Sequence, residues 1–292
     1  KLTGGAFGHG MEENIRALYR DIVYNYAPGD ALYFFGFSRG AFTVRSLAGF
    51  MRFAGLVEKD DDYYVPELYA CYEAGKGPGT PEWAHANRKI TGTRPCPPIT
   101  MLGVWDTVGS LGAPGALGQL VNPNKYRYHD VTLGPAVQNA FHALAIDERR
   151  KPFAPSVWDR PDGWAGQLVQ AWFPGVHCNV GGGYTPDGLA NGALWWLVGE
   201  AAHLGLDFDA KYLTPFGQAA NSYLADSMDA KYRLLGSLLR PIGTARNGGE
   251  GLHASVLARM QDPACKYAPE NVKAFRAQHP AAQVIETRPL RG

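Results

Sequence analysis

The chain has 292 residues, with 28 basic and 27 acidic side chains and a formal net charge of +1. No basic stripe runs along it, which excludes the electrostatic footprint of a nucleic-acid binder or of a polybasic membrane binder. An apolar content of 46%, with 36 Gly and 21 Pro, describes a globular, loop-rich protein, and residues 1–292 read as one elaborated domain with a large core.

Taken in order, Gly5-Ala6-Phe7-Gly8-His9-Gly10 opens a segment in which Ile15, Leu18, Ile22 and Val23 recur at helical spacing. These glycines lack the spacing of a dinucleotide fingerprint and no strand precedes them, so they read as a mobile entry to a helix. Pro28-Gly29-Asp30 turns the chain into a short apolar strand, Ala31 to Phe35, which ends in Gly36-Phe37-Ser38-Arg39-Gly40. A helix follows at once, with Phe42, Val44, Leu47, Ala48 and Met51 on its buried side and Arg45 and Arg52 on solvated edges, ending near Gly55. Residues 58–98 change character, with Asp60-Asp61-Asp62-Tyr63-Tyr64 and helix-compatible pieces between Gly and Pro turns. This stretch reads either as a lid or as a surface excursion.

Ile99 to Trp105 is the next strand, with Asp106-Thr107-Val108-Gly109 at its end. Gly- and Pro-rich loops fill 109–135, and Ala136 to Arg150 reads as a helix or a helix with a short strand. Leu168 to Phe173 is a third strand-like run, followed by Gly175-Val176-His177 and the glycine-rich loop Asn179-Val180-Gly181-Gly182-Gly183-Tyr184. Residues 189–206 read as an amphipathic helix. Beyond 210 the pattern is polar loops and short helical pieces with little chemistry to extract. Cys71, Cys96, Cys178 and Cys265 are widely separated and form no C-x-x-C pair, so they fit reduced thiols, and neither a metal nor another cofactor is expected. The first residues lack the apolar core of a signal peptide, and the apolar run at 193–198 is too short to cross a bilayer. The expectation is a cytoplasmic chain, or one exported without a cleaved signal.

Strand, sharp turn and helix around G-x-S-x-G form the context in which a serine stands clear at the carboxyl end of a sheet. Ser38 is therefore the candidate nucleophile, and the N–H of Arg39 at the helix start is a candidate oxyanion donor. Bulky residues in place of Gly36 and Gly40 are expected to collide across the turn. A nucleophilic serine needs a base, and the base an orienting carboxylate. Asp106 and His177 each follow a predicted strand, in the order Ser…Asp…His. Asp147, and less strongly Asp159 or Asp162, are rival carboxylates; Asp147, within Asp-Glu-Arg-Arg, reads more naturally as a salt-bridge group. His142 lies in the segment read as helix, and His85, His129, His203 and His253 read as surface or core residues.

Gly-Phe-Ser-Arg-Gly-Ala at 36–41, Gly-Val-Trp-Asp-Thr-Val-Gly at 103–109, Ala-Ile-Asp-Glu-Arg-Arg at 145–150 and Val-His-Cys-Asn-Val-Gly-Gly-Gly-Tyr at 176–184 occur in that order. Together they resemble the catalytic domain of type VI secretion phospholipase effectors, the first lipase-effector family. The opening glycine-rich stretch and Leu252-His253-Ala254-Ser255-Val256 extend the resemblance over nearly the whole chain. It implies an α/β-hydrolase-like fold, a mostly parallel central sheet flanked by helices with loop and helical insertions, acting on glycerophospholipid acyl esters. The family's serine, aspartate and histidine fall on Ser38, Asp106 and His177. Members usually begin with a strand leading into an Asp-Gly-Thr turn that supplies part of the oxyanion site. This sequence starts after that point, so its first strand is expected to be missing or the second donor to come from elsewhere. Asn179 stands where the family more often has aspartate.

The leading reading is a serine carboxylic-ester hydrolase of the phospholipase A type, working through an acyl-enzyme. A soluble-ester or polyester esterase on the same scaffold is the alternative, and a catalytically silent hydrolase-fold binding module is the alternative of another class. The partners implied are a lipid or other ester substrate, transient membrane contact, and an immunity or delivery protein; none is nucleic acid.

Overall fold

The computed structural model describes residues 5–108 and 133–290, with the side chains of 5–9 and of Lys231 left out. Most of the loop stretch expected at 109–135, and His129 within it, lies outside the described residues.

Helix α1, Gly5–Asn25, begins directly at the glycine-rich opening and buries Ile15, Tyr19 and Val23. These stand four residues apart, so they share one face. Strand β1, Leu32–Phe37, leads through Ser38 into α2, Arg39–Ala54, which stops at Gly55 with φ +67°. Arg45, expected to be solvated, is 7% exposed. Its guanidinium lies 4.4 Å from the Trp158 ring centroid and donates to the Ser156 carbonyl at 2.6 Å. A flat cation can be buried when it stacks and donates at the same time.

The 58–98 segment follows β2 (Leu56–Val57) and contains α3 (Val65–Glu73), α4 (Pro81–Asn87) and β3 (Thr93–Arg94), with β2 and β3 paired antiparallel. Val65, Leu68, Tyr69 and Tyr72 are buried in the same cluster as Phe50 and Met51 of α2. The segment is thus part of the core on the α1–α2 side.

Strands β4 (Ile99–Trp105), β5 (Asn139–Ala145), β6 (Gln167–Phe173), β7 (Glu250–His253) and β8 (Val284–Ile285) complete a sheet with β1. Among the described residues its order is β1-β4-β5-β6-β7-β8, every pair parallel. Parallel strands are covered on both faces, and side chains alternate between them. Leu102 and Val104 of β4 join the α1–α2 core, whereas Met101 joins Phe141, Ala143 and Phe173 under a helix at Gly188–His203. That helix buries Trp196, Leu197 and Ala201 and also Asn191 and Glu200, so it is more enclosed than an amphipathic surface helix.

The segment before Arg150, read as a helix or a helix with a short strand, carries the seven-residue strand β5, and His142 sits in the middle of that strand rather than in a helix. Asn-Ala-Phe-His-Ala-Leu-Ala has residues of good helix propensity, but pairing on both edges with β4 and β6 overrides it. Strands β7 and β8 were likewise not visible in the sequence; at four and two residues they are too short to display a period.

Candidate active site

Adjacent strands deliver the first two groups. Phe37 at the end of β1 is in register with Trp105 at the end of β4, and the Ser38 N–H donates to the Trp105 carbonyl at 3.0 Å. The next residue on each strand leaves the sheet with positive φ, Ser38 at +57° and Asp106 at +39°. Among the described residues the other non-glycine positions with positive φ are Asn247 and Lys266. Left-handed backbone costs on the order of 1–3 kcal/mol at such positions and is kept where the surroundings over-determine it. Here two neighbouring strand ends are bent together off one rim of the sheet. A Cβ at Gly36 would be forced onto the Gly40 carbonyl and the Ala41 nitrogen, so the turn closes only with glycine at 36. At Gly40 an added Cβ meets nothing within 4 Å, so the close approach that requires glycine is seen at 36.

Asp106 is fully buried. Its N–H donates to the Ala143 carbonyl at 2.7 Å, and its Oδ1 accepts from the Ala145 N–H at 3.0 Å, so β5 holds both ends of the residue. His142 on the same strand uses Nε2 to accept the Thr107 N–H at 3.0 Å. Burial and the nearby Arg45 charge push His142 down to about 3, so it is a neutral acceptor that steadies the Asp106-Thr107 turn.

The third group arrives from β6. After Phe173 the chain passes Gly175 and Val176 and enters α5, His177–Gly181. The segment read as a glycine-rich loop therefore begins as a helical turn, and Gly181 lacks a Cβ because the Phe37 ring occupies that place. His177 is 4% exposed, and its Nδ1 lies 2.6 Å from Asp106 Oδ2. A carboxylate can only accept, so Nδ1 carries a proton, and in the neutral ring Nε2 is then the nitrogen with the lone pair. The imidazole packs against two aromatic rings: Phe37, the neighbour of Ser38, at 4.5 Å between centroids, and Phe153 at 5.0 Å, edge-on. Ser38 is partly exposed, and among the described residues its hydroxyl makes no hydrogen bond. The structure thus joins Asp106 to His177 directly and brings His177 against the residue preceding Ser38.

A shell of polar groups fixes His177. The backbone N–H of His177 donates to Glu148 Oε2 at 3.3 Å, and Glu148 is gripped by Arg150 at 2.9 and 2.8 Å and by the Ser227 hydroxyl at 2.9 Å. Burial alone would raise the Glu148 carboxyl, but Arg150 holds it below the ordinary range. Arg150 also lies 3.5 Å over the Phe153 ring, supporting the wall against which His177 rests. Asp147, the rival carboxylate, is spent on structure: Oδ2 accepts from the Gly175 N–H at 2.7 Å and from the Tyr267 hydroxyl at 2.8 Å. It shapes the turn into α5 by hydrogen bonds, where the sequence suggested a salt bridge. Asp159 and Asp162 accept from Arg246 and Asn247 in a distant loop. Asn179 accepts from the Val176 and Ala225 N–H groups and donates to the Tyr223 carbonyl at 3.1 Å, a donor that aspartate would lack. Burial pushes the Cys178 thiol up, which disfavours a thiolate beside the imidazole.

Arg240 was missed in the sequence. It is 1% exposed and forks onto Asp106, Nη1 to Oδ1 at 2.7 Å and Nη2 to Oδ2 at 3.0 Å, while donating to the Ala145 and Phe153 carbonyls. Burial would raise the Asp106 carboxyl, yet the Arg240 charge and the His177 hydrogen bond hold it far below the usual carboxylate range. Asn271 ties the Arg240 carbonyl to that of Ile146. Arg240 lay in the stretch that offered little pattern, in a loop among other short polar segments, and no spacing signal marks it.

A family model described as "T6SS, Phospholipase effector Tle1-like, catalytic domain" matches residues 1–200. The chain is 28% identical over 159 residues to the Saccharomyces cerevisiae protein described as "Uncharacterized protein YEL023C", covering 52% of this chain and 22% of that one. Among solved structures it is similar, at 23% identity and a TM-score of 0.30, to the chain in "Structure of the Tle1 effector bound to the VgrG spike from the Type 6 secretion system", over 61% of this chain and 30% of that one. The chain spans less than a third of the length of either protein. Among the described residues, no helix is long and apolar enough to cross a membrane.

Proposed function

The chain belongs to the type VI secretion Tle1-like phospholipase effector family, in its catalytic domain, and on that premise we propose that it hydrolyses acyl esters of glycerophospholipids through Ser38, His177 and Asp106. The observation that carries the reading is the buried Asp106–His177 pair, 2.6 Å apart, set beside a serine in strained backbone at the end of a parallel strand.

In this reaction His177 Nε2 takes the Ser38 proton as Oγ attacks the acyl carbonyl carbon. The oxyanion forms over the start of α2, where the Arg39 N–H donates to it; one such donor is worth ~10²–10³ in rate. Collapse breaks the carbon–oxygen ester bond, and the proton on Nε2 passes to the departing alcohol, a lysophospholipid. Water then attacks the acyl-enzyme with His177 again as base, releasing the fatty acid and restoring the Ser38 hydroxyl. Asp106 keeps the imidazole in the required tautomer and stabilises the imidazolium that forms twice in the cycle. The hydrogen bond between Ser38 and His177 forms when the ester excludes water, as is common for such pairs. The family's designation as secretion effectors supports, as part of the same proposal, a delivery protein as partner.

The test is mass spectrometry of products from a panel of defined phospholipids, with Ser38→Ala beside the wild type. Free fatty acid and lysophospholipid are expected from the wild type, with a loss of at least ~10³-fold in the variant. Hydrolysis that survives intact in a folded Ser38→Ala protein overturns the assignment.

A further inference from the structure

We infer that Arg240 is a positioning residue of this site, one that holds the Asp106 carboxylate and offsets its charge, and thereby sets the pH range over which His177 can serve as a base. The inference rests on the Ser38–His177–Asp106 reading, and adds to it a group from beyond residue 200, where the family match ends.

The geometry is that of a clamp. One guanidinium contacts both oxygens of Asp106 and also the carbonyls of Ala145 and Phe153, the latter at 2.6 Å. The planar fork of arginine suits a carboxylate held at two points. The Phe153 ring packs on His177, so Arg240 grips the imidazole's surroundings from two sides, through its carboxylate and through its aromatic wall. Asn271 fixes the Arg240 backbone in turn.

The electrostatic consequence follows from the charges that face the imidazole. Asp106 lies at Nδ1 with Arg240 behind it. From the 148–153 turn come Glu148, on the His177 N–H, and Arg150, which is paired with Glu148. Cys178 is the neighbour on the same helix, with its thiol held neutral by burial, and His142 lies on the far side of the Asp106 turn, also neutral. Each acid in this set is therefore matched by an arginine. Without Arg240, one full negative charge would act on the imidazole inside the protein, where opposite charges favour the protonated form strongly. The base would then be lost to protonation at a higher pH.

The experiment measures kcat/KM against pH for wild type, Arg240→Gln and Arg240→Lys, and follows the His177 Nδ1–H proton resonance by NMR across the same range. Gln keeps donors for the carboxylate but removes the charge, and the acid-side midpoint is expected to move up by about one pH unit. Lys keeps the charge but not the fork, so the midpoint should return to the wild-type value while kcat stays reduced. If Gln does not fold, Arg240→Met replaces it as the uncharged variant. Midpoints unchanged in the uncharged variant, in both rate and resonance, reduce Arg240 to a fold-stabilising residue and overturn the inference. The resonance reports on His177 even without turnover: a wild type that fails to hydrolyse lipid, or does so without Ser38, defeats the functional reading and leaves the Arg240 measurement valid.

Discussion

The two halves of the site are built in opposite ways. The serine half is local: a strand, one glycine at 36, Ser38 at φ +57° and a sixteen-residue helix, all within residues 32–54. The base half gathers Asp106, His177, Arg240 and the carbonyls of Ala145 and Phe153 from four separated stretches, and nearly every group in it is buried and charged or hydrogen-bonded. Backbone strain defines the first half; the second shares it at Asp106, with φ +39°, but is defined by polar satisfaction. One stores unfavourable conformational energy in a single residue; the other removes charges from water and must replace each lost contact.

The difference is open to direct attack. Asp106→Ala, which strands the buried Arg240 guanidinium without its carboxylate, should cost about 3–5 kcal/mol, read as a lower midpoint in urea unfolding. A loss below about 1 kcal/mol would mean that the base half is not held together by paired charges. Asn179→Asp acts at the edge of the same half. It removes the donor to the Tyr223 carbonyl and sets a carboxylate against it, for an expected loss of about 1–3 kcal/mol in the same assay. An unchanged midpoint there would show that the 223–225 loop does not depend on the amide. On the serine half the sign reverses. Ser38→Gly should abolish hydrolysis yet stabilise the fold by about 1 kcal/mol, because glycine adopts positive φ without penalty. A Ser38→Gly protein that unfolds more easily than the wild type would contradict the strain reading of the elbow.

How much could be read beforehand follows the same division. The elbow was legible because its elements lie in one short window: apolar run, glycine, serine, glycine, helical period. Strands β4 and β6 and the residues that follow them, Asp106 and His177, were legible as strand-end groups. Strand β5 was not, because its alanine-rich run fits a helix until neighbours pair with it, and His142 was misplaced with it. Arg45 looked solvated because no local pattern announces Trp158 as its stacking partner more than a hundred residues on.

By itself the sequence determined the class of the fold, the turn that carries Ser38, and the strand ends that carry Asp106 and His177, since each is a pattern within one short window of the chain. Only the tertiary structure decided that Asp106 and not Asp147 meets His177, and that Arg240 closes over that carboxylate 134 positions away. A buried charge chooses its partner by proximity in space and by what else can satisfy it there, and neither is written in the spacing of residues along a strand or a helix.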